Sequence, residues 1–127
     1  MKTIMLKEGL THTSRLVVTE AVTAAKMGSG DMEVLATPAM LALMENAAML
    51  AVAPHLPEGA TTVGGHIASS HVKPTALGGE VTATATLTKV EGRKLHFAVT
   101  AHEGDSLLGE GTHLRFIVDR EKFMSKL

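Results

Sequence analysis

Residues 39–53 read AMLALMENAAMLAVA, a run in which only Glu45 and Asn46 are polar. Nearly all of the other residues are good helix formers, so the run predicts one helix that is apolar on almost every side. A helix without a broad polar face is normally surrounded by other structure. We therefore expect the rest of the chain to enclose this helix.

The residues that flank the run are typical of helix ends. Thr37 can cap the start of the helix through its hydroxyl, and Pro38 suits the first turn, where a missing N–H removes no hydrogen bond. Pro54 lies just beyond the last apolar residue. The helix is therefore expected to begin near Thr37 and to end near residue 53.

The enclosing material is predicted to be a β-sheet. Residues 81–88 read VTATATLT, a strict alternation that predicts a half-buried antiparallel strand. Turns at Glu91-Gly92 and Gly104-Asp105 introduce two more strands of the same meander. Their inward residues are predicted to be Leu95, Phe97, Val99 and Ala101 in the first, and Leu108, Thr112, Leu114, Phe116 and Val118 in the second.

Two further strands complete the predicted sheet. Residues 12–20 precede a glycine-rich loop at 28–30, and residues 62–73 contain Gly64-Gly65 and end at Pro74. The order of elements is therefore strand, helix and four strands. We expect a single α+β domain over residues 1–127, with an antiparallel sheet curled around one long central helix.

Composition excludes several classes of protein. Twelve Lys and Arg against thirteen Asp and Glu leave a formal charge of −1 without a basic block, which argues against a nucleic-acid partner. The chain has no cysteine, which excludes disulfides and thiolate zinc sites and favours an intracellular setting. No apolar run fits a signal peptide or reaches about 18 residues, so we expect a cytoplasmic protein without a membrane partner.

The apolar residues are mostly small or flexible. The 127 residues include eight Met and only three aromatic side chains, Phe97, Phe116 and Phe123. A core of this kind packs with few large anchors, and a chain of this size gains much from burying surface against a partner subunit. We therefore expect an oligomer.

Glu45 is the strongest single indication of chemistry. A carboxylate in the middle of an apolar helix is costly to bury unless it is paired or does chemical work, and an ion pair with a structural Lys or His is the simpler alternative. His71, in the run SSHVKPT at 69–75, and the Gly64-Gly65 pair are weak signals alone. A histidine is more often a surface or core residue, and two glycines in a strand more often form a bulge than an oxyanion hole.

The spacing of three motifs adds to these signals. ATPAMLALMENAA, TTVGGHIASSHVKPTALGGEVTATATL and LGEGTHLRF together resemble the hotdog thioesterase family that includes the fluoroacetyl-CoA-specific thioesterase. The resemblance covers about residues 30–123. Its most specific parts are the Ala-Thr-Pro helix start with Glu eight residues later, the His twenty-six residues after that Glu, and the Gly-Glu-Gly-Thr-His-x-Arg strand.

The resemblance implies a hotdog fold and an acyl-CoA thioesterase that acts as a homodimer, with pairing of dimers into a tetramer left open. It places the family's catalytic residues on Thr37, Glu45 and His71, and its substrate-binding residues on Gly64, with the adjacent Gly65, and on Arg115. Neither a metal nor a cofactor is implied, because coenzyme A is part of the substrate. The position of the family's aromatic lid falls on Asp31, which puts selectivity for a fluoroacetyl group in doubt.

In the implied reaction Glu45 is a general base or a nucleophile, and backbone N–H groups near Gly64 bind the oxyanion. Thr37 and His71 assist, and Arg115 is a candidate for binding the phosphates of coenzyme A. Eight helical positions correspond to a rise of about 12 Å, so Thr37 and Glu45 of one helix cannot touch. A site shared by two subunits would resolve this. The alternatives are a non-catalytic acyl-CoA-binding or sensing module and, less favoured, a hydratase.

Overall fold

A computed structural model describes residues 6–127 of the chain. The prediction that the N-terminal segment is not a signal peptide concerns in part residues 1–5, which lie outside the described residues. Five antiparallel strands form one sheet in the order β1-β3-β4-β5-β2. The strands are β1 (Thr11–Val17), β2 (Ala60–Ser69), β3 (Glu80–Glu91), β4 (Lys94–Glu103) and β5 (Ser106–Asp119).

Three α-helices accompany the sheet: α1 (Ala24–Met27), α2 (Thr37–Val52) and α3 (Arg120–Ser125). Short 3₁₀ turns occupy Glu20–Val22 and Ala53–His55. Helix α2 is the predicted central helix, and it packs on β3 and β1. The curled antiparallel sheet around one long helix confirms the predicted α+β hotdog fold. The short helices α1 and α3 were not predicted, because a helix of four or six residues carries too little periodicity to recognise.

The meander of β3, β4 and β5 is confirmed, and both of its turns are two-residue loops. Gly92 and Gly104 each occupy the first loop position with a positive φ, of 60° and 57°. A type II′ hairpin turn requires this conformation at its first position, which glycine adopts without strain. The predicted inward faces of β3 and β4 are also correct, since Val81, Ala83, Ala85 and Leu87 are buried together with Leu95, Phe97, Val99 and Ala101.

The predicted inward face of β5 is wrong beyond Leu108. The structure buries His113, Arg115 and Ile117, whereas Phe116 is exposed. Two of the three inward residues are polar, so a hydrophobic pattern selects the opposite face of the strand. This end of the inner face is polar because it meets the only carboxylate of helix α2, as described below.

The enclosure of helix α2 is also less complete than expected. Its buried side carries Ala39, Met40, Leu43, Met44, Ala47, Ala48, Ala51 and Val52. The opposite side carries a stripe in which Pro38, Ala42 and Asn46 are exposed and Glu45 is half-buried. The sheet therefore covers one side of the helix and leaves a narrow stripe of small, polar and charged residues open. None of the helices within residues 6–127 is long and apolar enough to span a membrane.

Candidate active site

Thr37 does not cap helix α2 as the sequence predicted. It is the first residue of the helix, and Ala36 occupies the cap position without a side-chain hydrogen bond. The Ala36 carbonyl accepts from the N–H groups of Ala39 and Met40 at 3.1 Å each. The Thr37 hydroxyl is left for another partner, and its Oγ1 lies 2.7 Å from Nδ1 of His71.

His71 follows the end of β2 in a segment that backbone hydrogen bonds tie to β5. Ser70 N–H donates to the Glu110 carbonyl at 3.1 Å, and Val72 N–H donates to the Leu108 carbonyl at 2.7 Å. Burial lowers the pKa of His71, and the backbone of Lys73 partly offsets that effect. The imidazole is therefore held in place and tends to be neutral near pH 7.

Two glycines of the GEG motif explain how this segment comes so close to β5. A Cβ at Gly109 or Gly111 would collide with the backbone carbonyl of Ser70 or Ala68, respectively. Any other residue at either position would push the segment away. The motif thus has a direct role in placing His71 beside the start of helix α2.

Glu45 lies two turns further along the same helix and is less buried than the sequence predicted, with 42% of its side chain exposed. Its Oε2 is 3.7 Å from Nη1 of Arg115. A Cβ on Gly64 would stand only 2.8 Å from Oε2. Any larger residue at position 64 would therefore displace the carboxylate from its present position.

Gly65 is the extra residue of a β-bulge, since Gly64 pairs with Arg115 and His66 already pairs with Leu114. A Cβ on Gly65 would collide with the Phe116 ring. Strand β2 is an edge of the sheet, so one of its sides has no strand partner among residues 6–127. The bulge beside Glu45 is thus the place where backbone N–H groups of an edge strand could reach a ligand.

Arg115 has most of its hydrogen-bond partners inside the protein, and its role in binding the phosphates of coenzyme A stays a prediction. Its side chain is buried, and burial lowers its pKa while the Glu45 charge opposes that effect. Nε donates to Thr62 Oγ1 at 2.8 Å, and Nη2 donates to the Thr62 carbonyl at 2.9 Å. Its third nitrogen, Nη1, is the one that lies near Glu45.

His113 is a member of this cluster that the sequence analysis missed. It is 1% exposed, and burial lowers its pKa. Its Nδ1 lies 2.7 Å from the His66 carbonyl oxygen, and its Nε2 lies 3.2 Å from Nη1 of Arg115. The sequence does contain a signal for it, because positions 113 and 115 lie on the same face of strand β5 and His113 is therefore expected beside Arg115.

The structure therefore brings the predicted residues together in two groups instead of one. Thr37 and His71 line a pocket of about 290 Å³, and Glu45 and Arg115 line a separate pocket of about 310 Å³. A third pocket of about 350 Å³, lined mainly by apolar side chains, shares Ala42 and Asn46 with the Glu45 pocket. Within residues 6–127, no group of three or more His, Asp or Glu side chains could hold a metal ion.

Comparisons with known proteins agree with the fold and indicate a thioesterase. The family model described as fluoroacetyl-CoA-specific thioesterase matches residues 18–121. The chain is 44% identical over 95 residues to the fluoroacetyl-CoA thioesterase of Streptantibioticus cattleyicolor, covering 75% of this chain and 68% of the relative.

Solved structures extend the similarity to nearly the whole chain. A threonine-to-serine variant of a fluoroacetyl-CoA thioesterase in complex with acetyl-CoA is 36% identical, with a TM-score of 0.90 over 95% of this chain and 96% of that chain. A thioesterase superfamily member from Thermus thermophilus is 28% identical, with a TM-score of 0.87 over 99% of this chain and 92% of that chain.

Proposed function

Because the chain belongs to the fluoroacetyl-CoA-specific thioesterase family, we propose that it hydrolyses an acyl-CoA thioester to a free acid and coenzyme A through Glu45, Thr37 and His71. The observation that carries the proposal is the Thr37–His71 hydrogen bond of 2.7 Å at the start of the helix that bears Glu45. The proposed chemistry uses no metal and no cofactor beyond the coenzyme A of the substrate.

Hydrolysis needs an oxygen nucleophile and donors for the oxyanion. Glu45 takes a proton from water as the water oxygen attacks the thioester carbonyl, or its carboxylate attacks that carbon directly and water cleaves the resulting anhydride. In either case the carbon–sulfur bond breaks, and the thiolate of coenzyme A that leaves takes up a proton that comes from the water. Both routes use the carboxylate form of Glu45, whose Oε2 lies 3.7 Å from Nη1 of Arg115.

The other residues support this step. Backbone N–H groups at the Gly64-Gly65 bulge are suited to bind the oxyanion, because the absence of side chains lets a carbonyl approach. Thr37 positions the thioester or water with its hydroxyl, whose orientation His71 fixes. His71 also serves as the group that exchanges a proton with the leaving thiol.

A complete site requires two copies of the chain in this proposal. The two residue groups occupy separate pockets of one protomer, and helix geometry separates Thr37 from Glu45 by about 12 Å. Ala42 and Asn46 of the open stripe line the Glu45 pocket, and Gly64 of the edge strand β2 lies next to the carboxylate. A two-fold partner that covers both the stripe and the edge strand would bring its own Thr37 and His71 toward Glu45.

A cytoplasmic location is also part of the proposal, because a chain without cysteine has no disulfide that would require an oxidising compartment.

The apolar pocket beside Glu45 is suited to the acyl group. Leu16, Val22, Met27 and Leu43 contribute to its lining. Ligand pockets typically begin at about 300 Å³. A pocket of about 350 Å³ next to the carboxylate therefore favours a short or branched apolar acyl chain over a long one.

A thiol-release assay over short, branched, aromatic and long acyl-CoA substrates tests the proposal. We expect turnover that depends on acyl length and is lost in Glu45→Gln. Glu80→Gln is the matched control, because Glu80 also pairs with an arginine, Arg15, at 2.9 Å but on an exposed surface. Saturable binding of acyl-CoA without any thiol release would instead support the non-catalytic binding module.

A further inference from the structure

The protonation of His113 can be deduced from its two partners. A backbone carbonyl can only accept a hydrogen bond, so Nδ1, 2.7 Å from the His66 carbonyl oxygen, must carry the ring proton. A guanidinium can only donate, so Nε2, 3.2 Å from Arg115 Nη1, must present its lone pair. His113 is therefore the neutral Nδ1–H tautomer, and both of its ring nitrogens are engaged.

Three hydrogen bonds, one to each nitrogen, hold the Arg115 guanidinium. Thr62 accepts from Nε and Nη2, and His113 accepts from Nη1, the nitrogen nearest to Glu45. The Phe97 ring lies beside the imidazole at a centroid distance of 6.1 Å, which restricts its movement. Because the guanidinium is rigid and planar, Thr62 and His113 together fix how Nη1 is directed toward the carboxylate, and His113 is the residue that contacts Nη1 itself.

We propose that His113 is a positioning residue of the active site, which holds the Arg115 guanidinium against Glu45 and thereby keeps that carboxylate aligned. This inference rests on the proposed function, in which Glu45 is the base or nucleophile. His113 touches neither the substrate nor the reacting atoms and acts only through Arg115. The anchor of the imidazole is the carbonyl of His66, the residue directly after the Gly64-Gly65 bulge, so one chain of contacts links the bulge to the carboxylate.

The charges around His113 are consistent with this role. Among the described residues, the charged or titratable groups that act on it are Arg115 on its own strand, Glu45 on helix α2 and His66 on β2. A protonated His113 would have no lone pair for Arg115 and would place a second cation against the guanidinium. The arrangement therefore works only while His113 is neutral.

Two substitutions of His113 separate its two hydrogen bonds. The amide of Asn reaches about as far as Nδ1, so His113→Asn can keep the bond to the His66 carbonyl but cannot reach Arg115. The amide oxygen of Gln reaches about as far as Nε2, so His113→Gln can still accept from Arg115. Phe97→Leu is the control for loss of packing, because it alters the neighbour of the imidazole and leaves every polar contact in place.

We expect His113→Asn to lower kcat by roughly tenfold or more with little change in KM, because alignment matters mainly in the transition state. His113→Gln should recover most of the wild-type kcat. Phe97→Leu should lower the melting temperature and leave kcat unchanged at a temperature where the variant is folded.

An unchanged kcat in His113→Asn, or equal losses in the Asn and Gln variants, would overturn the proposal and leave His113 a residue of the core. If His113→Asn does not fold, Thr62→Val serves instead, because it removes the acceptor of Arg115 Nε and should lower kcat with little change in KM. An unchanged kcat there also counts against the proposal. Retained turnover in Glu45→Gln would contradict the proposed function itself, whatever the His113 variants do.

Discussion

Thr37 Oγ1 lies 2.7 Å from His71 Nδ1, although 34 positions separate the two residues in the chain. The hydroxyl that would ordinarily cap helix α2 is used for this contact, and Ala36 begins the helix without a side-chain cap. A threonine at a helix N-cap typically contributes about 1 kcal/mol of stability. At this helix start, the hydroxyl is bonded to the histidine of the candidate site instead.

Thr37→Val should therefore reduce turnover without the stability loss of a missing cap. The valine keeps the shape of threonine but gives His71 no hydroxyl partner, so we expect kcat to fall by at least roughly tenfold. Thr37→Ser should keep much of the activity. Thr84→Val is the control, because it removes a similar threonine hydrogen bond of 2.8 Å, to Thr13, and should leave kcat unchanged. Thiol release and thermal unfolding of all three variants check the prediction.

The shared site makes a prediction about the assembly. Sedimentation at micromolar concentration should give about twice the chain mass of 13.3 kDa. Mixing inactive Glu45→Gln and Thr37→Val chains should restore turnover, because one site of each mixed dimer then combines an intact Glu45 with an intact Thr37. Random exchange should restore about a quarter of the wild-type activity. A monomer, or a mixture that stays inactive despite exchange of subunits, would contradict a site built from two chains.

The sequence was sufficient to predict the elements whose patterns reflect burial alone. Helix α2 and strands β3 and β4 follow the helical or alternating periods of a core, and their inward residues were identified correctly. The inward face of β5 was predicted incorrectly, because the pattern of apolar residues cannot reveal an inner face that is polar. His113 and Arg115 are buried there against Glu45 and Thr62.

The geometry of the candidate site was only partly predictable. Motif spacing picked out Thr37, Glu45 and His71 as residues, but it could not show that Thr37 and His71 are in contact while Glu45 lies in another pocket. Those distances depend on glycine contacts such as Gly111 against Ala68 and Gly64 against Glu45. Such contacts leave no periodic trace in the sequence.

Stability should decrease as the solution becomes mildly acidic. Burial lowers the pKa of His113 and of His71 in the folded chain below the value of about 6.5 expected when unfolded. The unfolded chain then binds more protons in that window, so the stabilisation present above about pH 6.5 is lost as the pH falls through the lowered folded values. Urea unfolding at several pH values should show that the free energy of unfolding decreases as the pH falls, and His113→Gln should make this pH dependence weaker. The same pH dependence in wild type and variant would exclude His113 as its source.

Selectivity for a fluorinated acyl group should be weak. Asp31 is exposed, and the neighbouring loop Gly28-Ser29-Gly30 offers no aromatic ring to cover the pocket. We expect the kcat/KM values for fluoroacetyl-CoA and acetyl-CoA to differ by at most roughly 200-fold, because one small substituent in an open pocket contributes only about 1–3 kcal/mol. Parallel assays of the two substrates test this. A preference of several orders of magnitude for the fluorinated substrate would show that another part of the site supplies the selectivity.

Glu45→Gln should abolish most turnover and leave the fold intact. Glutamine keeps the shape of the side chain but can neither accept a proton from water nor attack a carbonyl, and loss of general-base catalysis alone corresponds to roughly 10²–10⁴-fold in kcat. The effect on stability should be small. The Glu45 side chain is 42% exposed, so its pair with Arg115 is screened by solvent, while Thr62 and His113 still hold the guanidinium in the variant. Circular dichroism and thermal unfolding, measured beside thiol release and with Glu80→Gln as the control, separate the two roles. Full turnover together with a clearly lowered melting temperature would make Glu45 a structural partner of Arg115 and not the catalytic carboxylate.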